Sequence, residues 1–152
     1  MTDWRDRLVT DPRDIARIVR GCTRIAVLGM KTEAQRGQPA FYVPEYMARA
    51  GYDIVPVPVY YPDVTRILDR PVYRTVASVP GPVDMVDVFR RPRDIPPHVE
   101  DILAARPRVV WLQLGIRHDE AAERFARAGI EVVQDRCLLV EHRRLGPTVR
   151  PS

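Results

Sequence analysis

With 152 residues, 45% hydrophobic and 29% charged, the chain is long enough for one well-buried domain and short for two, so a single domain over residues 1–152 is expected. Its 24 basic and 20 acidic residues leave a net charge of +4, but the basic residues are scattered through every segment, which excludes the clustered face of a nucleic-acid binder. Lys31 is the single lysine, so the basic character is mainly a preference for arginine.

Cys22 and Cys137 lie far apart and form no metal-ligand spacing, so no metal site is expected and a reducing, cytoplasmic home is the simplest account. The first fifteen residues are charged throughout, unlike the apolar core of a signal peptide. No apolar run approaches the roughly 20 residues that span a bilayer.

In chain order, Asp11 followed by Pro12 reads as an N-cap with proline at the first helical position, and Ile15, Ile18 and Val19 share one face of a helix ending at Gly21. Arg24 to Leu28 is an unbroken apolar strand, suited to a central parallel position. A helix follows from Pro39 or Val43 to Ala50, stopped at Gly51. The second strand, Ile54 to Val57, carries Pro56 and is followed by Pro58, which places its end at a sheet rim.

Tyr60 to Pro82 reads as a brief helix plus an edge strand, PVYRTV. Asp84 to Phe89 is a further core strand, Pro96 to Ala105 a helix, and Arg108 to Leu114 a strand closed by Gly115. Asp119 is expected to cap a helix to Ala128 that Gly129 ends; Glu131 to Val133 is the last strand, before a helix around Arg136 to Leu145. Strands alternating with helices predict a Rossmann-like, doubly wound parallel α/β sheet of five or six strands, with helices on both faces in three layers.

Ligands of such sheets sit outside the carboxyl ends of the strands, where strand order reverses. Those ends are Gly29 to Lys31, Val57 to Tyr60, Phe89 to Arg91 and Gly115 to Arg117. They supply backbone amides, apolar walls including Met30 and Ile116, aromatic rings and cations. A nucleotide-like small molecule fits them, since the loop after the first strand and the N-terminus of the helix that follows, at Pro39 or Val43, favour negative charge.

The segments RIAVLGM, GYDIVPV, PVDMVDVFRRP, VVWLQLGI and DRCLLVEH, in this order and spacing, closely resemble the small single-domain CoA-binding proteins of bacteria, which are similar to the CoA-binding Rossmann domain of the succinyl-CoA synthetase alpha subunit. The resemblance runs from about Pro12 to Leu145. It implies that Gly29, Met30, Lys31 and the residues leading to Pro39 and Ala40 cradle the diphosphate of CoA or an acyl-CoA. Val57 and Pro58 would line the adenosine region, with Phe89, Arg90 and Arg91 beside the ligand and Gly115 and Ile116 completing the site. Two departures fall in this pocket. The family's Asn-Pro after the second strand is Pro58-Val59 here, and its Ser-x-x-Pro-x-Arg-Pro-Ser type of loop reads KTEAQRGQPAF.

The same residues carry plainer readings. Gly29 also serves as a strand-ending turn glycine, and Arg36 reads equally as a phosphate contact or a solvated loop charge. Phe89 and Trp111 read as core aromatics, and at most one of Arg90 and Arg91 is expected on a phosphate. Cys137 reads as an inert buried thiol, with thiol exchange as the sharper alternative. Glu141 and His142, about 100° apart on a helix, read as structural groups, and no catalytic constellation assembles. The functional expectation is therefore a CoA-binding protein without demonstrable catalysis. The alternatives are an NAD(P)-binding oxidoreductase-like domain, although Val57, Pro58 and Val59 stand where an acid would take the ribose, and an accessory subunit of an acyl-CoA synthetase-type enzyme with a protein partner.

Overall fold

The computed structural model of the chain describes residues 3–146; the one-domain expectation reaches beyond these at both ends. Its elements are α1 (Pro12–Gly21), β1 (Arg24–Leu28), α2 (Pro39–Arg49), β2 (Asp53–Val57), β3 (Arg66–Ile67), β4 (Arg70–Pro71), β5 (Met85–Val88), α3 (Val99–Ala105), β6 (Val109–Leu112), α4 (Asp119–Arg127), β7 (Glu131–Val133) and α5 (Leu138–Arg144). Five strands form one parallel sheet in the order β2-β1-β5-β6-β7, and β3 and β4 form a separate antiparallel pair.

Pleating sorts the strand residues onto two faces. Ala26, Leu28, Val86, Val88, Val110 and Leu112 meet Ile102 of α3 and Ala122, Phe125 and Ala126 of α4. Ile25, Val27, Met85, Val109, Trp111 and Val133 meet Ile15, Ile18 and Val19 of α1, Phe41, Val43 and Met47 of α2, and Leu138 of α5. A sheet buried on both faces explains the near-continuous apolar strands, and each fully buried aliphatic side chain contributes roughly 1.5–3 kcal/mol. The result is the Rossmann-like, three-layer α/β architecture expected, with five strands.

Most element ends fall within a residue of where the sequence puts them, although β6 stops at Leu112, two residues before the expected Leu114. Asp11 accepts from the Arg13 N–H at 2.8 Å and Pro12 opens α1. Others shift. His118, not Asp119, is the N-cap of α4, its Nδ1 accepting from the Ala121 N–H at 3.1 Å. The helix expected from Pro96 begins as a 3-10 turn over Pro96–His98, in which the His98 and Val99 N–H groups donate three residues back to the Ile95 and Pro96 carbonyls, and becomes α-helical at Val99. The last helix starts only at Leu138.

The segment from Tyr60 to Pro82 departs furthest, with no helix. Leu68 and Asp69, both at positive φ, turn the β3–β4 hairpin, and the Tyr73 N–H donates to the Pro56 carbonyl at 3.0 Å, binding its continuation to the sheet edge. The Arg74 guanidinium replaces a helix's internal bonds by donating to the carbonyls of Tyr60, Tyr61, Pro62 and Val64 at 2.7–3.2 Å. Among the described residues no helix is long and apolar enough to cross a membrane.

Candidate functional site

The strand order reverses between β1 and β5, so the loops leaving their carboxyl ends part in opposite directions and open a crevice. Gly29 stands at that parting. Its φ is +85°, and a Cβ there would lie 2.5 Å from the Phe89 carbonyl oxygen, so the close approach of the two strand ends demands glycine. Structure alone therefore accounts for this glycine.

The chain then carries Lys31 under the N-terminus of α2. Pro44, inside α2, has no N–H to give the Ala40 carbonyl, and that carbonyl accepts from the Lys31 N–H at 3.1 Å. Thr32 and Gln35 close a capping box one residue on, the Thr32 N–H donating to Gln35 Oε1 at 3.0 Å and the Ala34 N–H to Thr32 Oγ1 at 3.2 Å. The loop bearing Lys31 is thus fixed from both sides. Pro39 at the first position of α2 and the absence of a side-chain cap from Gln38 leave the helix's amino end facing the crevice.

Two adjoining clefts occupy the crevice. The larger, about 410 Å³, is walled by the start of α2 (Gln38, Pro39, Ala40, Tyr42), the loop after β5 (Phe89 to Pro92), the loop after β6 (Gln113 to Ile116), Lys31 and Cys137. The smaller, about 250 Å³, shares Lys31, Phe89, Arg90 and Arg91 and adds Gly29, Tyr60 and Tyr61. Among the described residues no carboxylate pairs with Lys31 or Arg90, whereas Arg91 is tied to Asp94 at 2.7 Å. The Arg90 guanidinium lies over the Tyr60 ring, 5.5 Å from its centre, and donates to the Tyr60 hydroxyl at 3.4 Å and to His98 Nε2 at 3.3 Å. Its hydrogen bond, and then its charge, pull the Tyr60 phenol below its usual range. Burial first, and Arg90 second, hold the His98 imidazole below its ordinary value.

Of the residues expected at the site, Gly29, Lys31, Pro39, Ala40, Phe89, Arg90, Arg91, Gly115 and Ile116 line one or both clefts. Met30, Val57 and Pro58 are buried and line neither; Met30 and Val57 pack in the two cores. Arg36 is exposed, pairs with Glu45 at 3.2 Å and lies over the Phe41 ring. Sequence reasoning reached Tyr60 as the end of the stretch after the second strand but passed over Gln38, Tyr42, Tyr61, Gln113 and Leu114 as site residues, although the last three lie at or just beyond the carboxyl end of a strand. Gln113 is buried, and its Oε1 accepts from the Leu138 N–H at 3.1 Å, joining the cleft wall to α5.

Asp87 carried no sequence signal beyond being an acid in the apolar strand MVDV. It pairs in register with Val27 and Trp111, two residues before Phe89, which follows the end of β5 and lines the clefts, and so lies beneath the cleft wall. Both carboxyl oxygens are buried without a hydrogen-bond partner, and burial raises its pKa well above the carboxylate range.

Binding chemistry dominates this arrangement. Two cations without carboxylate partners, an open helix end and aromatic surfaces suit an anionic ligand with an aromatic group. Each of the three imidazoles is engaged: His98 with Arg90, His118 as a helix cap, and His142 Nδ1 with the Tyr46 hydroxyl at 2.8 Å. Glu141 is held by Arg144 at 2.8 Å. No cluster of three potential metal ligands occurs among the described residues.

Residues 23–143 match the model of the CoA binding domain family. The chain is 32% identical over 129 residues to the uncharacterized protein YneT of Bacillus subtilis (strain 168), an alignment covering 85% of this chain and 92% of that one. Among solved structures, cell-free ID.343 from Thermus thermophilus superposes with a TM-score of 0.81 at 38% identity, covering 90% of this chain and 99% of the other. A dinucleotide-forming acetyl-coenzyme A synthetase 1 of Ca. Korarchaeum cryptofilum shares the fold, with a TM-score of 0.63 at 15% identity over 75% of this chain and 26% of that one. With a family match over most of its length, the chain belongs to the CoA binding domain family.

Proposed function

We propose that the protein binds CoA or an acyl-CoA across the two clefts, with no demonstrable catalysis of its own. The observation that carries the reading is the placement of Lys31. It lines both clefts, has no carboxylate partner among the described residues, and is pinned through its N–H to the first turn of α2. A diphosphate bridging the clefts would meet Lys31, the amino end of α2 and Arg90 together. CoA fits this set: the exposed Tyr60 ring offers its base a stacking surface, and the walls formed by Tyr42, Leu114 and Ile116 suit the pantetheine arm. When bound, CoA would supply a thiol or thioester, and this chain's part is to hold and orient it.

Thermal shifts with CoA, acetyl-CoA, NAD and ATP side by side test the reading, since a ligand that binds only the native state raises the Tm by mass action. Selective stabilisation by CoA or acetyl-CoA is expected. Selective stabilisation by NAD would contradict the reading, and Val57 and Pro58 at the end of β2 give NAD no carboxylate for its ribose. A second reading, an accessory subunit of an acyl-CoA synthetase-type enzyme, draws on Leu114, which is 68% exposed at the rim of the larger cleft.

A further inference from the structure

The loop after β5 holds a three-part arrangement that ligand binding alone does not require. Arg90, which lines both clefts, is clasped between Tyr60 on one side and His98 on the other, and His98 itself lines neither cleft. The Arg90 Nε–H is a donor, so the His98 Nε2 it faces at 3.3 Å must carry a lone pair and no proton. His98 closes the 3-10 turn Pro96–His98 and immediately precedes α3, so its ring stands on a fixed element rather than on a free loop.

We propose that His98 is a positioning residue for the anion site: its neutral imidazole orients Arg90 toward the clefts, and its protonation releases Arg90 and weakens ligand binding. The inference rests on the CoA reading above. A protonated imidazole has two N–H donors and no acceptor, so the Arg90 Nε–H loses its partner and faces a like charge. Released from His98, the guanidinium keeps the long hydrogen bond to the Tyr60 hydroxyl and the face of that ring. Its side chain then recovers rotamer freedom that ligand binding must remove again.

The groups around His98 allow such a change within the ordinary range of histidine. Burial and the Arg90 charge favour the neutral ring, while Asp101 of α3 and Asp94 of the preceding turn favour the protonated one. Both carboxylates have other work: Asp101 accepts from the Val76 and Ala77 N–H groups at 2.8 and 2.9 Å, and Asp94 from Arg91 Nε at 2.7 Å. Glu100, also on α3, pairs with Arg124. The balance lies with the neutral form, and protonation falls below the usual midpoint of about 6.5.

The test uses dephospho-CoA, whose diphosphate keeps its charge where histidine titrates, with the wild type, His98→Gln and His98→Leu. Calorimetric affinity is read at about pH 8 and about pH 5.5. In the wild type the affinity is expected to fall as pH is lowered, approaching about fivefold, the worth of one hydrogen bond, once the His98 ring is fully protonated. Glutamine, which offers an acceptor at either pH, should flatten the profile, and leucine should bind about fivefold more weakly at the higher pH. The Arg90 Nε–H resonance, followed by NMR without ligand, should shift along the His98 titration in the wild type and stay constant in His98→Gln. Equal profiles for the wild type and His98→Gln, or an Arg90 resonance that ignores pH, overturn the proposal. An Arg90 resonance that titrates while the wild type binds neither dephospho-CoA nor CoA supports the Arg90–His98 coupling and overturns the CoA reading instead.

Discussion

The N–H of Lys31 donates to the carbonyl of Ala40 across 3.1 Å, joining the loop after β1 to the first turn of α2. Pro44 is the cause, because a residue with an N–H at that position would direct it to the same carbonyl. A helix-breaking residue inside α2 thereby orders a loop outside it. Pro44→Ala should supply the competing donor and loosen the loop. Amide hydrogen exchange is expected to show the Lys31 N–H exchanging at least about tenfold faster in the variant, with the sheet amides unchanged.

Gly29 gives a test of the switch point. An alanine there must adopt φ near +85° and also push its Cβ against the Phe89 carbonyl, which lies in backbone and cannot swing away. Gly29→Ala should lower stability by about 1–3 kcal/mol in urea denaturation. Gly115→Ala has the same sign of φ but open space around its Cβ, and should cost about 1 kcal/mol. Equal losses would mean that the β1–β5 approach is not a constraint.

Asp87 makes stability depend on pH with a defined sign. Its native pKa is raised, so the carboxyl stays protonated in the folded state while the unfolded chain ionises near pH 3.9. The unfolded state then binds fewer protons, and the contribution of Asp87 is best below that pH and is lost as pH rises, by up to about 1.4 kcal/mol per unit. Between about pH 5 and pH 9 the depressed carboxylates Asp94 and Asp119 are already ionised, and Cys22 and Tyr52, pushed up to about 11 and about 12 by burial, remain neutral. His98 titrates in both proteins, so the difference between the wild type and Asp87→Asn isolates Asp87. Urea denaturation should show the variant gaining on the wild type as pH rises from about 5, until the native carboxyl itself ionises; parallel curves throughout would contradict the buried, unpartnered carboxyl.

Most of the fold is legible in the sequence because the parallel strands are buried on both faces and read as apolar runs, as in Arg24–Leu28 and Glu131–Val133, whose ends agree with the structure residue for residue. Helix ends are legible where a local cap specifies them, as at Asp11 and Pro12. They are less so where the cap is an unusual residue such as His118. The Tyr60 to Pro82 segment is illegible because its conformation depends on Arg74 reaching back to four carbonyls, a contact no local pattern announces.

The candidate site divides in the same way. Gly29, Lys31, Arg90 and Gly115 follow from the rule that ligands gather at strand ends. Val57 and Pro58 follow from it too, yet lie buried away from both clefts, because β2 is the outermost strand and its end is covered by Gly29, whose N–H donates to the Val57 carbonyl at 2.9 Å. Tyr60 and His98 come to Arg90 from opposite sides of the loop, through contacts 30 and 8 residues apart in the chain. Distance in sequence hides both.

The most direct measurement is a calorimetric titration of CoA into the wild type and Lys31→Ala, each at about 0.1 M and about 1 M salt. Screening shortens the reach of exposed charges from about 10 Å to about 3 Å between those conditions. The account predicts that the wild type binds CoA and weakens with salt. It predicts that Lys31→Ala folds normally, binds about tenfold more weakly at low salt, as loss of a charged hydrogen bond requires, and is less sensitive to salt. Equal affinity of the two proteins for CoA, with equal salt dependence, would contradict the claim that the loop after β1 holds the diphosphate.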